Sequence, residues 1–199
     1  MTRRTARQEQ PVLELVDAIA GDSSAGQVQL TEDGDGQPES FDSFYYREFP
    51  RLLTLARALA GDAQAADIAQ DSMVVAYQRW DTVRTFASPA GWVRGVCSHK
   101  AVSLVRRSRS ENRALARLRL HRPTQPEPDN ALADNEFWRE VRRLPRRQAQ
   151  AVALYYVLDL SVADVAETLE CAEGTVKTHL SRARETLSKR LATGGEEQS

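Results

Sequence analysis

Apolar residues recur every three or four positions along most of the stretch from residue 41 to residue 108, and this spacing limits the fold to packed helices. The pattern is clearest in FDSFYYREFPRLLTLARALAG and ADIAQDSMVVAYQRW. It places apolar side chains on one face of an α-helix, whereas a half-buried strand would alternate apolar and polar residues, and no such alternation persists. The 199 residues, 41% of them hydrophobic, suffice for one large or two small domains. We therefore expect an all-α chain.

Local signals predict where several helices begin and end. Gly61 and Asp62 close the first helical run, and Ser88 followed by Pro89 starts another, with serine as N-cap and proline at the first helical position. Nearer the C-terminus, Ser161 and Asp164 have the spacing of a capping box, so a further helix is predicted to start at Ser161.

Charge and proline content divide the chain into five predicted segments. Residues 1–40 hold 3 basic and 8 acidic residues. They contain a short amphipathic pattern at Val12, Leu15, Val16 and Ile19, then a run rich in Gly, Asp and Ser, so we expect a disordered acidic extension. The alternative is a tail that mimics DNA phosphates or docks a partner.

Residues 109–134 start as a basic helical continuation and pass into HRPTQPEPDN, a predicted linker. It separates small helical domains at 41–108 and 135–190, and a disordered tail is predicted at 191–199.

The sharpest pattern is a predicted helix-turn-helix near the C-terminus. Val162, Val165, Ala166 and Leu169 form the inner face of one short helix; Val176, Leu180, Ala183 and Leu187 form the narrow apolar stripe of the next. The face opposite that stripe carries small polar and basic residues, and residues 174–190 hold five basic residues against one acidic. Small residues allow close approach in a DNA major groove, where hydroxyl and cationic groups contact bases and phosphates. The candidate contacts are Thr175, Lys177, Thr178, Ser181, Arg182 and Arg184. A helical hairpin with a solvated basic face is the alternative.

A second basic strip lies in the first domain. No acidic residue occurs between Asp81 and Glu111, while Arg84, Arg94, Lys100, Arg106, Arg107 and Arg109 are basic and Phe86 and Trp92 are aromatic. Cations along a backbone and flat apolar surfaces for unstacked bases are what single-stranded DNA needs. Phe86, in a predicted loop, is the better candidate for a base contact, because Trp80 and Trp92 are more often core residues.

The sequence offers little for catalysis or metal binding. Cys97 and Cys171 lack CxxC spacing, Cys97 and His99 face different directions on a predicted helix, and no Gly-rich phosphate loop occurs. Cys97 is therefore predicted to be a small core residue. Neither a secretory signal nor a run of about 18 apolar residues is present. We expect a cytoplasmic protein without cofactor, metal or catalytic activity.

Two stretches carry a family resemblance. GTVKTHLSRARETL, preceded by LSVADVAETL and LPRRQAQAVALYYV, resembles region 4 of the extracytoplasmic-function (ECF) sigma factors of bacterial RNA polymerase. EGTVKTHLSR also resembles the DNA-binding helix of LuxR-type regulators, but such a response regulator would begin with alternating strands and helices. AADIAQDSMVVAYQRWDTVRTFASPAGWVRGVCSHKAVSLVRR instead resembles sigma region 2.

The resemblance implies an alternative sigma factor that binds core RNA polymerase, recognises the minus-thirty-five and minus-ten promoter elements and promotes DNA melting. Region 4 would read the minus-thirty-five element through the candidate contacts named above. The implied minus-ten residues are Phe86, Ser88, Trp92, His99, Lys100, Ser103, Arg106 and Arg107, and the implied polymerase contacts are Asp67, Gln70 and Asp71. Lys100, usually apolar in relatives, suggests altered packing or an added phosphate contact. Members of the group are commonly held by an anti-sigma factor, which is a further candidate partner. A DNA-binding regulator that does not join polymerase and an inert helical adaptor are the rival functions.

Overall fold

The computed structural model describes residues 39–117 and 136–196, which form eight helices and no strand within those ranges. The predicted amphipathic pattern at Val12–Ile19, most of the acidic extension and the proline-containing linker lie outside the described residues. The all-α expectation is confirmed for the described part of the chain.

Four helices make the first domain: α1 (Phe41–Ala60), α2 (Asp62–Gln78), the short α3 (Trp80–Val83) and α4 (Pro89–Arg117). The α1–α2 turn is made at Gly61, whose φ of 88° is favourable only for glycine and whose N–H donates to the Arg57 carbonyl. At the start of α4, the Ser88 hydroxyl accepts a hydrogen bond from the Gly91 N–H at 3.0 Å. The predicted Ser88–Pro89 helix start is thus confirmed.

The second domain comprises α5 (Glu136–Arg142), α6 (Arg146–Val157), α7 (Val162–Thr168) and α8 (Glu173–Glu196). Ser161 and Asp164 form the predicted capping box at the start of α7. Glu170, with a φ of 50°, then lets the chain turn from α7 into α8. α8 continues to Glu196, so helix extends past residue 190, where a disordered tail is predicted.

The predicted apolar faces form the core. Leu52, Leu55 and Met73 are fully buried among α1, α2 and α4, together with Cys97, as predicted. The stripe on α8, from Val176 to Leu187, is buried against α6 and α7. These surfaces hold each domain together by removing apolar area from water.

The two domains pack against each other along a seam between α1 and α4 on one side and α5, α6 and α7 on the other. Gln150 Nε2 donates to Ser98 Oγ at 3.0 Å, and Arg142 Nε donates to the Ala58 carbonyl at 3.1 Å. Gly95 approaches so closely that a Cβ atom there would lie 3.0 Å from the Thr168 carbonyl oxygen. The two cores consequently merge into one buried cluster.

Candidate nucleic-acid interface

The outer face of α8 is a polar and cationic surface. Thr178, Ser181 and Arg182 are exposed opposite the buried Val176–Leu187 stripe, which fixes the helix on the domain, and Thr175 is exposed on the flank. The Thr178 hydroxyl donates to the Gly174 carbonyl at 2.8 Å, which leaves its methyl group and an oxygen lone pair for a ligand. The face therefore combines hydroxyl groups with a guanidinium that has no carboxylate partner among the described residues.

Lys177 and Arg184, on the flanks of this face, are also exposed. Lys177 Nζ lies 3.6 Å from the Glu173 carboxylate, and both side chains are more than half exposed, so this ion pair is weak. Arg184 Nε donates to the Leu180 carbonyl at 3.4 Å, which holds its guanidinium beside the helix. Both cations can still reach phosphates near the helix.

Phe86, Ser88 and Trp92 lie together where α4 begins. The Phe86 and Trp92 rings are 6.0 Å apart between centroids in an edge-to-face arrangement, and both are half-buried. The indole Nε1 of Trp92 is buried without a hydrogen-bond partner. Trp80 instead packs at 4.9 Å from Phe44, in the core role predicted for it. The loop before α4 thus rests on an aromatic pair, with Ser88 engaged as the helix cap.

Farther along α4, the predicted minus-ten residues are in different environments. Ser103 and Arg106 are exposed, and Arg107 pairs with Glu111 at 3.0 Å. Lys100 Nζ instead lies 3.4 Å from Asp71 Oδ2. His99 is half-buried at the seam, where burial lowers its pKa to about 4, with further lowering by Arg146 and Arg147. These residues therefore do not form one uniform DNA surface.

Arg94 differs from the expectation that it belongs to the basic strip. Its guanidinium is buried and binds the Glu48 carboxylate through two nitrogen atoms, at 2.7 Å from Nη2 and 3.0 Å from Nε. The prediction that Arg94 belongs to the DNA strip is wrong, because Arg94 forms a buried ion pair with Glu48 of α1. Among the other cations of that strip, Arg109 donates to the Arg142 carbonyl across the seam.

Asp67, Gln70 and Asp71 are exposed on α2. Gln70 Oε1 accepts a hydrogen bond from the Tyr45 hydroxyl at 3.3 Å, and the Tyr45 ring stacks on Phe49 with centroids 5.0 Å apart. The carboxylates are thus presented on a helix that is braced from α1.

An aromatic rim beside these residues was missed by sequence reasoning. Tyr46 is 79% exposed and Tyr77 is 66% exposed, and Val74 is also exposed on α2. Large apolar groups left in solvent next to acidic residues form a surface suited to a protein partner. For Tyr46 the available signal was the run of five aromatic residues within residues 41–49 of α1, more than one apolar stripe can bury.

The described residues offer little support for a catalytic or a metal-binding site. Burial raises the pKa of the Cys97 thiol to about 12, and its Sγ donates to the Leu52 carbonyl, so the reactive thiolate is disfavoured. No cluster of three or more His, Cys, Asp or Glu residues suited to a metal occurs in residues 39–117 and 136–196. Within those ranges, no helix is both long and apolar enough to cross a membrane.

Comparison with known proteins gives two family matches in chain order. Residues 44–111 match the model described as Sigma-70 region 2, and residues 134–187 match Sigma-70, region 4. The ECF RNA polymerase sigma factor SigM of Mycobacterium tuberculosis is 30% identical over 166 residues, covering 78% of this chain and 79% of SigM. SigW of Bacillus subtilis, also an ECF RNA polymerase sigma factor, is 24% identical over 148 residues, covering 68% and 79%.

Solved structures share the fold. The sigma factor RpoE of Bartonella quintana, in complex with the anti-sigma factor NepR, superposes with a TM-score of 0.57 at 23% identity, covering 76% of this chain and 96% of that one. CnrH, in complex with the cytosolic domain of CnrY, gives 0.56 at 20% identity, covering 90% and 96%.

Proposed function

This chain belongs to the ECF sigma factors of the sigma-70 family, and from that membership we propose that it directs bacterial core RNA polymerase to a set of promoters. The observation that carries the proposal is the pair of region 2 and region 4 matches, in order, on two helical domains with a solvent-facing α8. Catalysis belongs to the polymerase, and the cytoplasm, where polymerase and DNA meet, is its place of action.

In this proposal, α8 enters the major groove of the minus-thirty-five element. Thr175, Lys177, Thr178, Ser181 and Arg182 would contact base edges and phosphates, with Arg184 on a flanking phosphate. Support comes from their exposure and from the buried stripe that anchors the helix behind them. Bidentate arginine contacts to guanine are the commonest specific contacts of this kind.

The first domain would act on the minus-ten element. Phe86 and Trp92, with Ser88 between them, are suited to stack on or enclose a base that has left the duplex, because base–aromatic stacking offsets part of the unstacking cost. Ser103, Arg106 and Arg107 would follow the displaced strand through its phosphates, with His99 and Lys100 nearby. We propose that the two domains comprise residues 41–108 and residues 135–190.

Asp67, Gln70 and Asp71 would contact the polymerase, and the neighbouring tyrosines would supply the apolar part of that interface. Exposed carboxylates beside exposed aromatic rings support this role. An anti-sigma factor is a further proposed partner, by analogy with RpoE, whose structure is a complex with the anti-sigma factor NepR.

A LuxR-like regulator is not favoured, because residues 44–111 match sigma region 2 and contain helices only. The experiment that tests the function is transcription from genomic fragments by sigma-free core polymerase with and without the purified chain. The expected result is a small set of new, precisely positioned starts that share two upstream elements. Initiation that does not change on adding the chain contradicts the proposal.

A further inference from the structure

Cationic and protonatable side chains from both domains meet where α4 packs against the start of α6. They are called the seam cluster here and come from three helices: His99 and Arg106 on α4, Arg146 and Arg147 on α6, and His179 on α8. Arg106 and Arg147 are exposed, and the other three are half-buried. This group of cations is therefore assembled by the packing of the two domains, and neither domain carries it alone.

The pKa shifts show that these groups lie within electrostatic range of one another. Burial lowers the pKa of His99 to about 4, and Arg146 and Arg147 lower it further. Burial also lowers the pKa of Arg146, followed by Arg147 and Arg106. No carboxylate contributes to either shift. Within the described residues, no carboxylate lies at ion-pair distance from the three arginines, so their positive charge is not neutralised by such a contact.

The N-terminus of α6 adds to this positive charge. Arg146 and Arg147 occupy the first turn of the helix, where acidic side chains would be favourable, and no side chain caps the helix at Pro145. The positive end of the helix dipole and two guanidinium groups thus act at the same place. A bound anion would offset this unfavourable arrangement.

Several hydrogen-bonding groups of the seam cluster are unsatisfied. Arg146 Nε and His179 Nδ1 are buried without a hydrogen-bond partner. Arg147 Nη1 donates to the Leu169 carbonyl at 3.0 Å, which fixes the guanidinium at the turn between α7 and α8. A guanidinium held in this way can still donate its other N–H groups to a ligand. The seam cluster thus supplies placed donors as well as charge.

A compact anion with several negative charges fits this arrangement best. Arginine binds phosphate oxygens through two parallel hydrogen bonds, so three arginines beside a helix N-terminus match linked phosphate groups better than a single carboxylate. Duplex DNA is the competing polyanion, but its phosphates lie on the outside of a stiff rod. His99 and Arg146 are half-buried between the helices, where a small ligand can approach them more closely than a duplex can.

We propose that the seam cluster is a binding site for a polyphosphate anion, the chemical group shared by nucleoside triphosphates and short inorganic polyphosphates. Arg106 and Arg147 bind the phosphate chain from the two sides of the seam, and Arg146 binds it together with the N-terminus of α6. The cluster contains no ring of Phe, Tyr or Trp, so the site recognises the phosphates rather than a base. The site does not depend on the function proposed above.

The test titrates inorganic tripolyphosphate into the full chain at constant ionic strength and without divalent cations, and isothermal titration calorimetry measures the affinity. We expect saturable binding to one site per chain. The melting temperature should rise with the tripolyphosphate concentration, because the ligand binds the folded chain. Orthophosphate should bind about tenfold more weakly or not at all, because it reaches fewer of the cations.

Adenosine triphosphate separates the two sources of the phosphate chain. An affinity comparable to that of tripolyphosphate is expected and assigns the site to the phosphates alone. Binding of the nucleotide without binding of tripolyphosphate overturns the proposal, because a base would then be the group that is recognised.

Substitutions in both domains locate the site. Arg106→Gln on α4 and Arg147→Gln on α6 are each expected to weaken tripolyphosphate binding about tenfold, the effect of losing a charge-assisted hydrogen bond. Arg139→Gln, which removes an exposed arginine on α5, is the matched control and should leave the affinity unchanged. Arg106 is exposed, so its substitution keeps the test valid if Arg147→Gln disturbs the turn that Arg147 holds.

A further variant changes the packing of the domains and keeps every cation. A Cβ atom at Gly95 would lie 3.0 Å from the Thr168 carbonyl oxygen, so Gly95→Leu is expected to push α4 and α7 apart. Tripolyphosphate affinity should then fall by about tenfold or more, with the helix content unchanged by circular dichroism. The matched control is Gly174→Leu, at a position where a Cβ atom meets nothing within 4 Å, and its affinity should equal that of the natural chain.

Absence of tripolyphosphate binding overturns the proposal. It is also overturned if Arg147→Gln weakens binding but Arg106→Gln and Gly95→Leu do not, because the site would then belong to the second domain alone. If the two arginine substitutions lower duplex DNA affinity and leave tripolyphosphate affinity unchanged, the cluster is a DNA surface and the proposal fails. Polymerase is not used in these measurements, so their failure leaves the proposed function standing, and a chain that binds tripolyphosphate but never joins polymerase contradicts only that function.

Discussion

The Lys100 ammonium contacts Asp71 twice: Nζ lies 3.4 Å from Asp71 Oδ2 and 3.5 Å from the Asp71 carbonyl oxygen. Lys100 is one of the proposed minus-ten residues, and Asp71 is one of the proposed polymerase contacts. The lysine side chain is 18% exposed, whereas that of Asp71 is 69% exposed. Lys100 is thus directed toward α2 and lies against Asp71 rather than in solvent.

Lys100→Met is predicted to weaken polymerase binding two- to threefold, because Asp71 loses the cation that orients it, a small effect typical of exposed ion pairs. The salt dependence of promoter binding should not change. Lys177→Met, which removes a largely exposed cation on α8, is the comparison and should lower the salt slope by about one. Filter binding at several salt concentrations measures both, and a lowered slope for Lys100→Met would assign Lys100 to a phosphate instead.

Arg94→Ala is predicted to lower the free energy of unfolding by about 3 kcal/mol, because the buried Glu48 carboxylate loses its bidentate partner. Arg94→Leu combined with Glu48→Leu should recover most of that loss, since no buried charge remains. Urea denaturation followed by circular dichroism measures both variants. A loss below 1 kcal/mol for Arg94→Ala would mean that water reaches Glu48.

The stability of the chain is predicted to fall as pH drops from about 6.5 toward 4, in part because of His99. Its folded-state pKa of about 4 lies below the ordinary value of 6.5, so the unfolded chain binds more protons in this window. His99→Gln should remove about 1–2 kcal/mol of this decline, a value reduced for solvent screening. Urea midpoints at pH 7 and pH 4.5 test the difference between the two chains, and parallel declines would contradict it.

Arg182→Ala is predicted to reduce initiation at promoters that need the minus-thirty-five element by about 10- to 100-fold, the range expected for loss of a bidentate base contact. Arg139→Ala, which removes an exposed arginine outside α8, should have little effect. Transcription assays on templates with intact and scrambled minus-thirty-five elements measure this. An equal loss on both templates would place Arg182 on a nonspecific phosphate.

Features encoded by neighbouring residues could be predicted from the sequence. The Ser161–Asp164 capping box, the buried stripe on α8 and the burial of Cys97 each depend on helical spacing or residue type, and the structure confirms them. Such signals act over one or two helical turns, so the sequence contains them directly.

Contacts between distant residues could not be predicted in this way. The sequence places Arg94 in a basic strip. In the structure Arg94 instead forms a buried ion pair with Glu48, which lies 46 residues earlier. A usable signal was Glu48 itself, which lies in line with the buried Phe44 and Leu52 of α1 and therefore needs a buried partner. No comparable signal places Gln150 against Ser98, because that contact depends on how two separately encoded domains meet.

The most direct test of the account is size-exclusion chromatography of the full chain with sigma-free core RNA polymerase, compared with a variant carrying Asp67→Ala, Gln70→Ala and Asp71→Ala. We predict that the natural chain co-elutes with polymerase and that the variant, still folded by circular dichroism, elutes alone. If the natural chain binds duplex DNA specifically but never co-elutes with polymerase, the chain acts as a separate DNA-binding regulator and the central claim is contradicted.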